Sequence, residues 1–158
     1  MIRPARNSDR EAIIEIIDTC LREIGDRFFP EGEGQDLLDV DAAYTNKGGA
    51  FVVLEKDGQI IGTHATSPVD HEEGIITFRR LYLKHEHRRQ GHGYTLMKWA
   101  IEWSIEQGWK QIVFWSDTRF RRAHEFFETF GFVKGETRDM DDGAMPYSEH
   151  RFQLGLKV

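Results

Sequence analysis

A chain of 158 residues, 39% of them hydrophobic and with a formal net charge of −6, has the size and apolar content of one globular domain with its own core, so a single domain over residues 1–158 is expected. The acidic balance argues against a nucleic-acid partner, whose phosphates demand a dominant basic face. No apolar run of signal length follows Met1 and none nears the roughly 18 residues that span a bilayer, so no membrane partner and a cytoplasmic location are expected.

The single cysteine, Cys20, can form no internal disulfide, which fits a reducing compartment and a packing role. Charge is unevenly spread: residues 1–74 carry 7 Lys+Arg against 16 Asp+Glu, and residues 75–158 carry 14 against 11. An anionic ligand on the C-terminal half and a cationic one facing the N-terminal half would explain this. Acidic surface that serves solubility explains it equally.

In chain order, Ile2–Ala5 reads as a short strand, and Ser8-Asp9-Arg10-Glu11 has the form of a capping box before the apolar run from Ala12, predicting a helix from about Ser8 into the low twenties. Residues 25–49 begin and end in glycines and hold one short helical pattern, Asp36 to Thr45. This is the most loop-like stretch, the kind that shapes a substrate pocket on a rigid scaffold. From Ala50 the period turns to β: AFVVLE, a turn at Lys56-Asp57-Gly58, then QIIGTHATS, a hairpin, and after a polar loop the third segment IITFRRLYL. A helix starting near Gly91 places Leu96, Met97, Ala100, Ile101 and Ile105 on one face and closes at Gly108. QIVFW is a buried strand, Ala123, Phe126, Phe127 and Phe130 stripe the next helix up to Gly131, and strands around 132–138 and 148–156 finish the chain. The order β-α-α-β-β-β-α-β-α-β-β describes a mixed α/β domain.

Between the third β segment and the long helix lies HRRQGHG, His87 to Gly93, two cations set beside two glycines. Unpaired N–H groups at a helix start, exposed by side-chain-free glycines, point at anions, and the helix dipole adds positive potential. Arg88 and Arg89 bring charge and forked donors. The loop is not a P-loop, for it has no Gly-Lys-Ser/Thr, and Leu96 takes the third glycine position of a dinucleotide fingerprint.

The stretch RRLYLKHEHRRQGHGYTLM, with Arg88-x-x-Gly91-x-Gly93, resembles the acetyl-CoA signature of the GCN5-related N-acetyltransferase (GNAT) superfamily, and RRAHEFFETFGF, Arg121 to Phe132, resembles that superfamily's later helix and Gly-Phe turn. The element order matches over nearly the whole chain. The resemblance implies a mixed, mostly antiparallel sheet flanked by helices and splayed open between its fourth and fifth strands. It also implies acetyl-CoA as cosubstrate, no metal, and direct acetyl transfer to the amine of a small acceptor. Main-chain groups of Leu81, Tyr82 and Leu83 would pair with the pantetheine arm, and backbone N–H groups of Arg88, Arg89, Gln90, Gly91, His92 and Gly93 would cradle the pyrophosphate. Arg121 or Arg122 would reach the 3′-phosphate, or stay as solvated helix residues.

Three positions depart from the family pattern: Thr77 stands where a glutamate base is common, Phe127 where a tyrosine acid is common, and Phe120 where asparagine is usual. Catalytic candidates must come from elsewhere. Asp117 follows the buried strand, and His124 shares a helical side with Phe120 and Phe127 and has a near-neutral ordinary pKa. Their plainer roles are a helix-start cap and a half-buried packing residue. His150, alternating with Phe152 and Leu154, is a third candidate, and His64 and His71 are placed near the acceptor side without a feature that selects them. His85-Glu86-His87 falls short of a metal site. Trp103 and Trp109 are candidate contacts of a homodimer. The function expected is N-acetyl transfer to a small amine. Its rivals are a coenzyme A-binding module without catalysis and a transferase for another acyl group or a protein amine.

Overall fold

The computed structural model describes residues 1–141 and 145–157. Its elements are β1 (Ile2–Pro4), α1 (Arg10–Arg22), α2 (Val40–Ala43), β2 (Ala50–Lys56), β3 (Gln59–Asp70), β4 (Ile75–Leu83), α3 (His92–Glu106), β5 (Gln111–Asp117), α4 (Arg121–Thr129), β6 (Val133–Met140) and β7 (Tyr147–Gly155). This is the order expected from the sequence. The strands form one sheet in the order β1-β2-β3-β4-β5-β7-β6, with β4 and β5 its parallel pair. No helix among the described residues is long and apolar enough to cross a membrane.

Period decides which face each helix buries. Ile13, Ile16, Ile17 and Cys20 recur at helical spacing along α1 and are buried on one side of the sheet, where Phe28, Leu37, Val40 and Tyr44 complete a core with Phe51, Val53 and Ala65. On the other side α3 and α4 cover Ile76, Phe78, Ile112, Phe114 and Phe152. The β2–β3 turn places both Asp57 (φ 52°) and Gly58 (φ 77°) in left-handed conformations, the turn whose twist suits a two-residue hairpin.

Some local expectations fail for identifiable reasons. Ser8 is exposed and does not cap α1; instead the Asp9 carboxylate accepts the Arg6 N–H at 2.8 Å and pairs with Arg3, also at 2.8 Å. The pattern from Asp36 to Thr45 breaks into a 3-10 turn at Gln35–Leu37, the short α2 and a second 3-10 turn at Thr45–Lys47. On α3 the buried stripe runs through Leu96, Met97, Ala100 and Ser104, and Ile105 is exposed; the Ser104 hydroxyl is satisfied by the Ala100 carbonyl at 2.7 Å. Trp109 is buried beside His71 (ring centroids 5.2 Å), so it packs the core and offers no subunit contact, whereas Trp103 is part-buried and stacks on Trp99.

The sheet parts in the middle. β4 and β5 pair only at Ile75↔Gln111 and Ile76↔Ile112, although the strands run 9 and 7 residues. A bulge accompanies the parting: Thr63 opposes Tyr82 and Ala65 opposes Arg79, leaving Arg80 and Leu81 across from His64. An extra residue in one strand bends it and raises its twist. It also shifts the alternation, so that Phe78 joins the α3–α4 core while Arg80 and Tyr82 turn to the α1 side and Leu81 and Leu83 to the α3 side.

Arg80 takes the left-handed conformation at this bulge, with φ 58°. A non-glycine residue there costs on the order of 1 kcal/mol, so something must hold it. Its Nε and Nη2 donate to Asp36 at 3.1 and 2.8 Å, Nη2 donates to the Glu33 carbonyl at 2.6 Å, and the guanidinium lies 5.3 Å from the Phe28 ring centroid. The Tyr44 hydroxyl donates to the same carboxylate. Burial alone would raise the Asp36 pKa, but hydrogen bonds and charge from Arg80 hold it below the usual range. Replacing Arg80 by alanine keeps the backbone strain and leaves Asp36 without its cation, a loss of about 3–5 kcal/mol for a broken buried pair. Glycine loses the same pair and relieves the strain, so Arg80→Gly should be the more stable variant by about 1 kcal/mol in urea unfolding. The opposite ranking would contradict the bulge.

Candidate functional site

Beyond β4 the chain makes a 3-10 turn at His85–His87 and enters α3 at His92. The Arg88 N–H bonds the His85 carbonyl (3.2 Å), and the next backbone donor to find an acceptor is Thr95, to Gly91 (3.1 Å). Between them the N–H groups from Arg89 to Tyr94 have no acceptor among the described residues. Left-handed conformations at Arg89 (φ 61°) and Gly91 (φ 84°) curl this run into a concavity at the positive end of the helix dipole. A Cβ on Gly91 would meet nothing, so that glycine serves the backbone angle; at Gly93 it would stand 3.6 Å from Phe126, within reach of α4. Gln90 and Arg89 are exposed. His92 carries a buried ring nitrogen without a partner, and burial, with Lys56 and His87 nearby, lowers its pKa.

Arg88 behaves differently from expectation. Its guanidinium donates to Glu23 at 2.6 and 3.0 Å, to the Leu83 carbonyl at 3.1 Å and to the Cys20 sulfur at 3.3 Å, so its fork is already engaged.

Leu81, Tyr82 and Leu83 lie on the stretch of β4 whose β5-facing edge has no ladder partner beyond Ile76. Thr77, paired with Ser67 on β3, is the first residue past the fork. The Tyr82 phenol is held protonated, pushed up to about 12 by burial, and its ring lies 6.5 Å from Phe120 at the start of α4. The cofactor candidates therefore line one continuous edge, from the open strand to the helix start.

The two catalytic candidates are placed on opposite sides. Along β5, Ile112, Phe114 and Ser116 face α3 and α4, and His124, 6% exposed, sets Nε2 3.0 Å from the Ser116 hydroxyl. Its ring packs on Phe152 at 4.8 Å and His150 at 5.6 Å. Burial first, then the charges of His150 and Lys134, lower its pKa to about 4, so the imidazole is neutral at pH 7. Asp117 turns to the α1 side. It accepts the Arg119 N–H (2.9 Å) and pairs with the Arg119 guanidinium (2.6 Å), which also reaches Asp26 (2.9 Å). Asp117 thus orders its own turn rather than capping α4, whose N-cap is Phe120.

Phe127 is 6% exposed, its ring 4.9 Å from Phe114 and 5.3 Å from Phe152, in an aromatic core. His150 bonds Thr137 through Nδ1 at 2.8 Å. His64 is fully buried on the α3 side, 3.3 Å from the Leu96 carbonyl, with burial lowering its pKa to about 4, so it is not an acceptor-side residue. Arg121 and Arg122 are exposed at the start of α4. A cavity of about 330 Å³ between Glu11, Glu15, Asp18 and Phe29 lies outside α1 and touches neither β4 nor the phosphate loop.

Sequence reasoning missed the residues that tie the acceptor-side segment down. Glu23, Asp26 and Asp36 are each held by an arginine from another element: Arg88 of the loop, Arg119 after β5, and Arg80 of the bulge. Three of the sixteen carboxylates of the first half are therefore the counterparts of basic residues in the second. The uneven charge counts hinted at this, but pairings across 44 to 93 residues carry no local signal.

Residues 15–132 match the model of the Acetyltransferase (GNAT) family. Among curated relatives, N-acetyltransferase 8F1 of Rattus norvegicus is 28% identical over 123 residues, 76% of this chain and 50% of its own length. N-acetyltransferase 8 of Homo sapiens is 26% identical over 103 residues, 63% of this chain and 45% of its own. The chain thus spans about half the length of these relatives. A GNAT-family acetyltransferase structure from Staphylococcus aureus Mu50 superposes with TM-score 0.85 at 21% identity, covering 99% of each chain. A putative acetyltransferase of Salmonella typhimurium, solved with acetyl-CoA, superposes with TM-score 0.79 at 18% identity over 100% of this chain and 94% of its own. With the family model spanning most of the chain and the forked sheet beside a donor-rich helix start, the protein belongs to the GNAT acetyltransferase family.

Proposed function

We propose that the protein transfers the acetyl group of acetyl-CoA directly to the amine of a small-molecule acceptor. What supports this most is the juxtaposition of the unpaired edge of β4 with the unsatisfied N–H groups from Arg89 to Tyr94. An open strand edge takes an extended amide chain as an added strand, and a helix start takes a pyrophosphate, so together they fit coenzyme A and its pantetheine arm. Arg89 and the exposed pair Arg121 and Arg122 supply free positive charge toward the phosphates.

In the transfer the amine nitrogen bonds the thioester carbon, the carbon–sulfur bond breaks, and the proton lost by nitrogen ends on the thiolate. Positioning the reactants carries most of the rate, with main-chain donors of the parted β4 at the thioester oxygen. His124 is the proposed proton carrier: a neutral imidazole that takes the proton through Ser116 and returns it to sulfur. Asp117, neutralised by Arg119, positions the turn between β5 and α4. Tyr82, protonated and on the acceptor side, is a second donor. Glu23, Asp26 and Asp36 are paired, so these three carboxylates are not themselves a reason for a cationic acceptor.

Gly91→Glu puts a carboxylate into the concavity without a steric clash, at the modest expense of a left-handed glutamate. It should abolish coenzyme A binding in calorimetry while thermal unfolding stays cooperative; unchanged affinity would refute the phosphate loop.

Thiol release from acetyl-CoA across a panel of cationic, neutral and acidic amines tests the reaction. Turnover with any small amine supports it, and cofactor binding with no turnover favours the binding-module reading. His124→Ala should lower kcat by about a hundredfold, within the range of a lost acid–base group. Since His124 is neutral above about pH 4, wild-type kcat should show no inflection at the ordinary imidazole value of 6.5. An inflection there that disappears in His124→Ala would contradict its burial.

A further inference from the structure

The two arginines of the phosphate loop are not equivalent. Arg89 is exposed and its backbone is part of the concavity. Arg88 is part-buried, its charge matched by Glu23 and its Nε bonded to the Leu83 carbonyl, the last residue of β4. To meet a phosphate with its fork, Arg88 would first have to give up a two-point carboxylate pair, with no compensating gain in partners. In place, it staples the end of β4 to the loop and both to the end of α1, and α1 is otherwise remote from the phosphate loop in sequence.

We infer that Arg88 is a positioning residue rather than a phosphate ligand, and that Glu23, acting only through it, sets cofactor affinity. Arg88 fixes the curl that aims the N–H groups of Arg89 to Tyr94 at one point, and Glu23 fixes Arg88. The inference rests on the cofactor reading above. It adds a residue outside the signature, from the acceptor-side segment, to the determinants of coenzyme A binding. The burial of Cys20 against the same guanidinium follows from this role: the thiol closes the inner side of the pair, its pKa raised by burial, and so adds no charge.

The two roles predict opposite signs for one variant. If Arg88 bound phosphate directly, deleting Glu23 would release it and tighten binding. If Arg88 positions the loop, Glu23→Ala should weaken coenzyme A binding about tenfold, the scale of a lost charged hydrogen-bond partner, and Arg88→Gln at least as much. The double variant should then be no weaker than Arg88→Gln, since the two act as one unit. Glu23→Gln, which keeps one acceptor, should fall between wild type and Glu23→Ala. Calorimetry with coenzyme A on variants checked for cooperative unfolding gives these values. Affinity equal to or tighter than wild type in Glu23→Ala would overturn the inference.

A second readout does not need the cofactor. In the amide spectrum of the unliganded protein, Glu23→Ala should shift the Gly91 and Gly93 resonances, both far from residue 23 in sequence. If wild type fails to bind coenzyme A, the functional reading falls, and this spectrum alone decides the positioning role: unmoved glycine amides overturn it, shifted ones sustain it.

Discussion

The fork in the sheet is the constraint from which the rest follows. Two parallel strands that share only Ile75↔Gln111 and Ile76↔Ile112 leave main-chain groups of β4 without a ladder partner in the middle of the molecule. Backbone groups in such a place are costly to leave unpaired, so a fold that keeps them open has a use for them. The bulge at Arg80 sends the strand away from β5, and β5 is held in turn along its whole length by β7. The bend and the partner strand together keep the gap from closing.

Electrostatics holds the fork to its surroundings. The segment after α1 packs Phe28, Leu37, Val40 and Tyr44 into the core, and it is fastened further by Glu23, Asp26 and Asp36 to Arg88, Arg119 and Arg80. These arginines come from the phosphate loop, the turn after β5 and the bulge, the three places that border the gap. The acceptor-side wall and the cofactor side are therefore one connected network. The pair deepest in it, Asp36 with Arg80, is about 10% exposed on each side and serves geometry more than net stability, since burying both charges offsets much of their attraction.

Periodicity made the fold legible. The apolar spacing of α1, the hairpin around Asp57-Gly58 and the aromatic stripe of α4 each have one strong local signal, and the Arg-x-x-Gly-x-Gly loop is legible because its glycines sit where the backbone must turn and approach a ligand. What was not legible was long-range. Ser8 looked like a cap, yet no side chain caps α1, and the Asp9 carboxylate instead ties the preceding turn by accepting the Arg6 N–H and pairing with Arg3. His124 and Asp117 each read as a catalytic candidate, but strand alternation at Ser116 and Asp117 sends them to opposite faces. Arg88 read as a free charge because its partner stands 65 residues earlier. Local sequence shows which groups a loop owns, and only the packed chain shows which of them are already spent.

The central claim is that the open edge of β4 and the helix start bind one ligand together. An amide spectrum of the wild-type protein titrated with coenzyme A tests it most directly. The account predicts that the largest shifts fall on Arg89 to Tyr94 and on Leu81 to Leu83, saturating together, with the Glu11–Phe29 cavity outside α1 unmoved. Shifts centred on that cavity, or a phosphate loop that stays unperturbed at saturation, would contradict it.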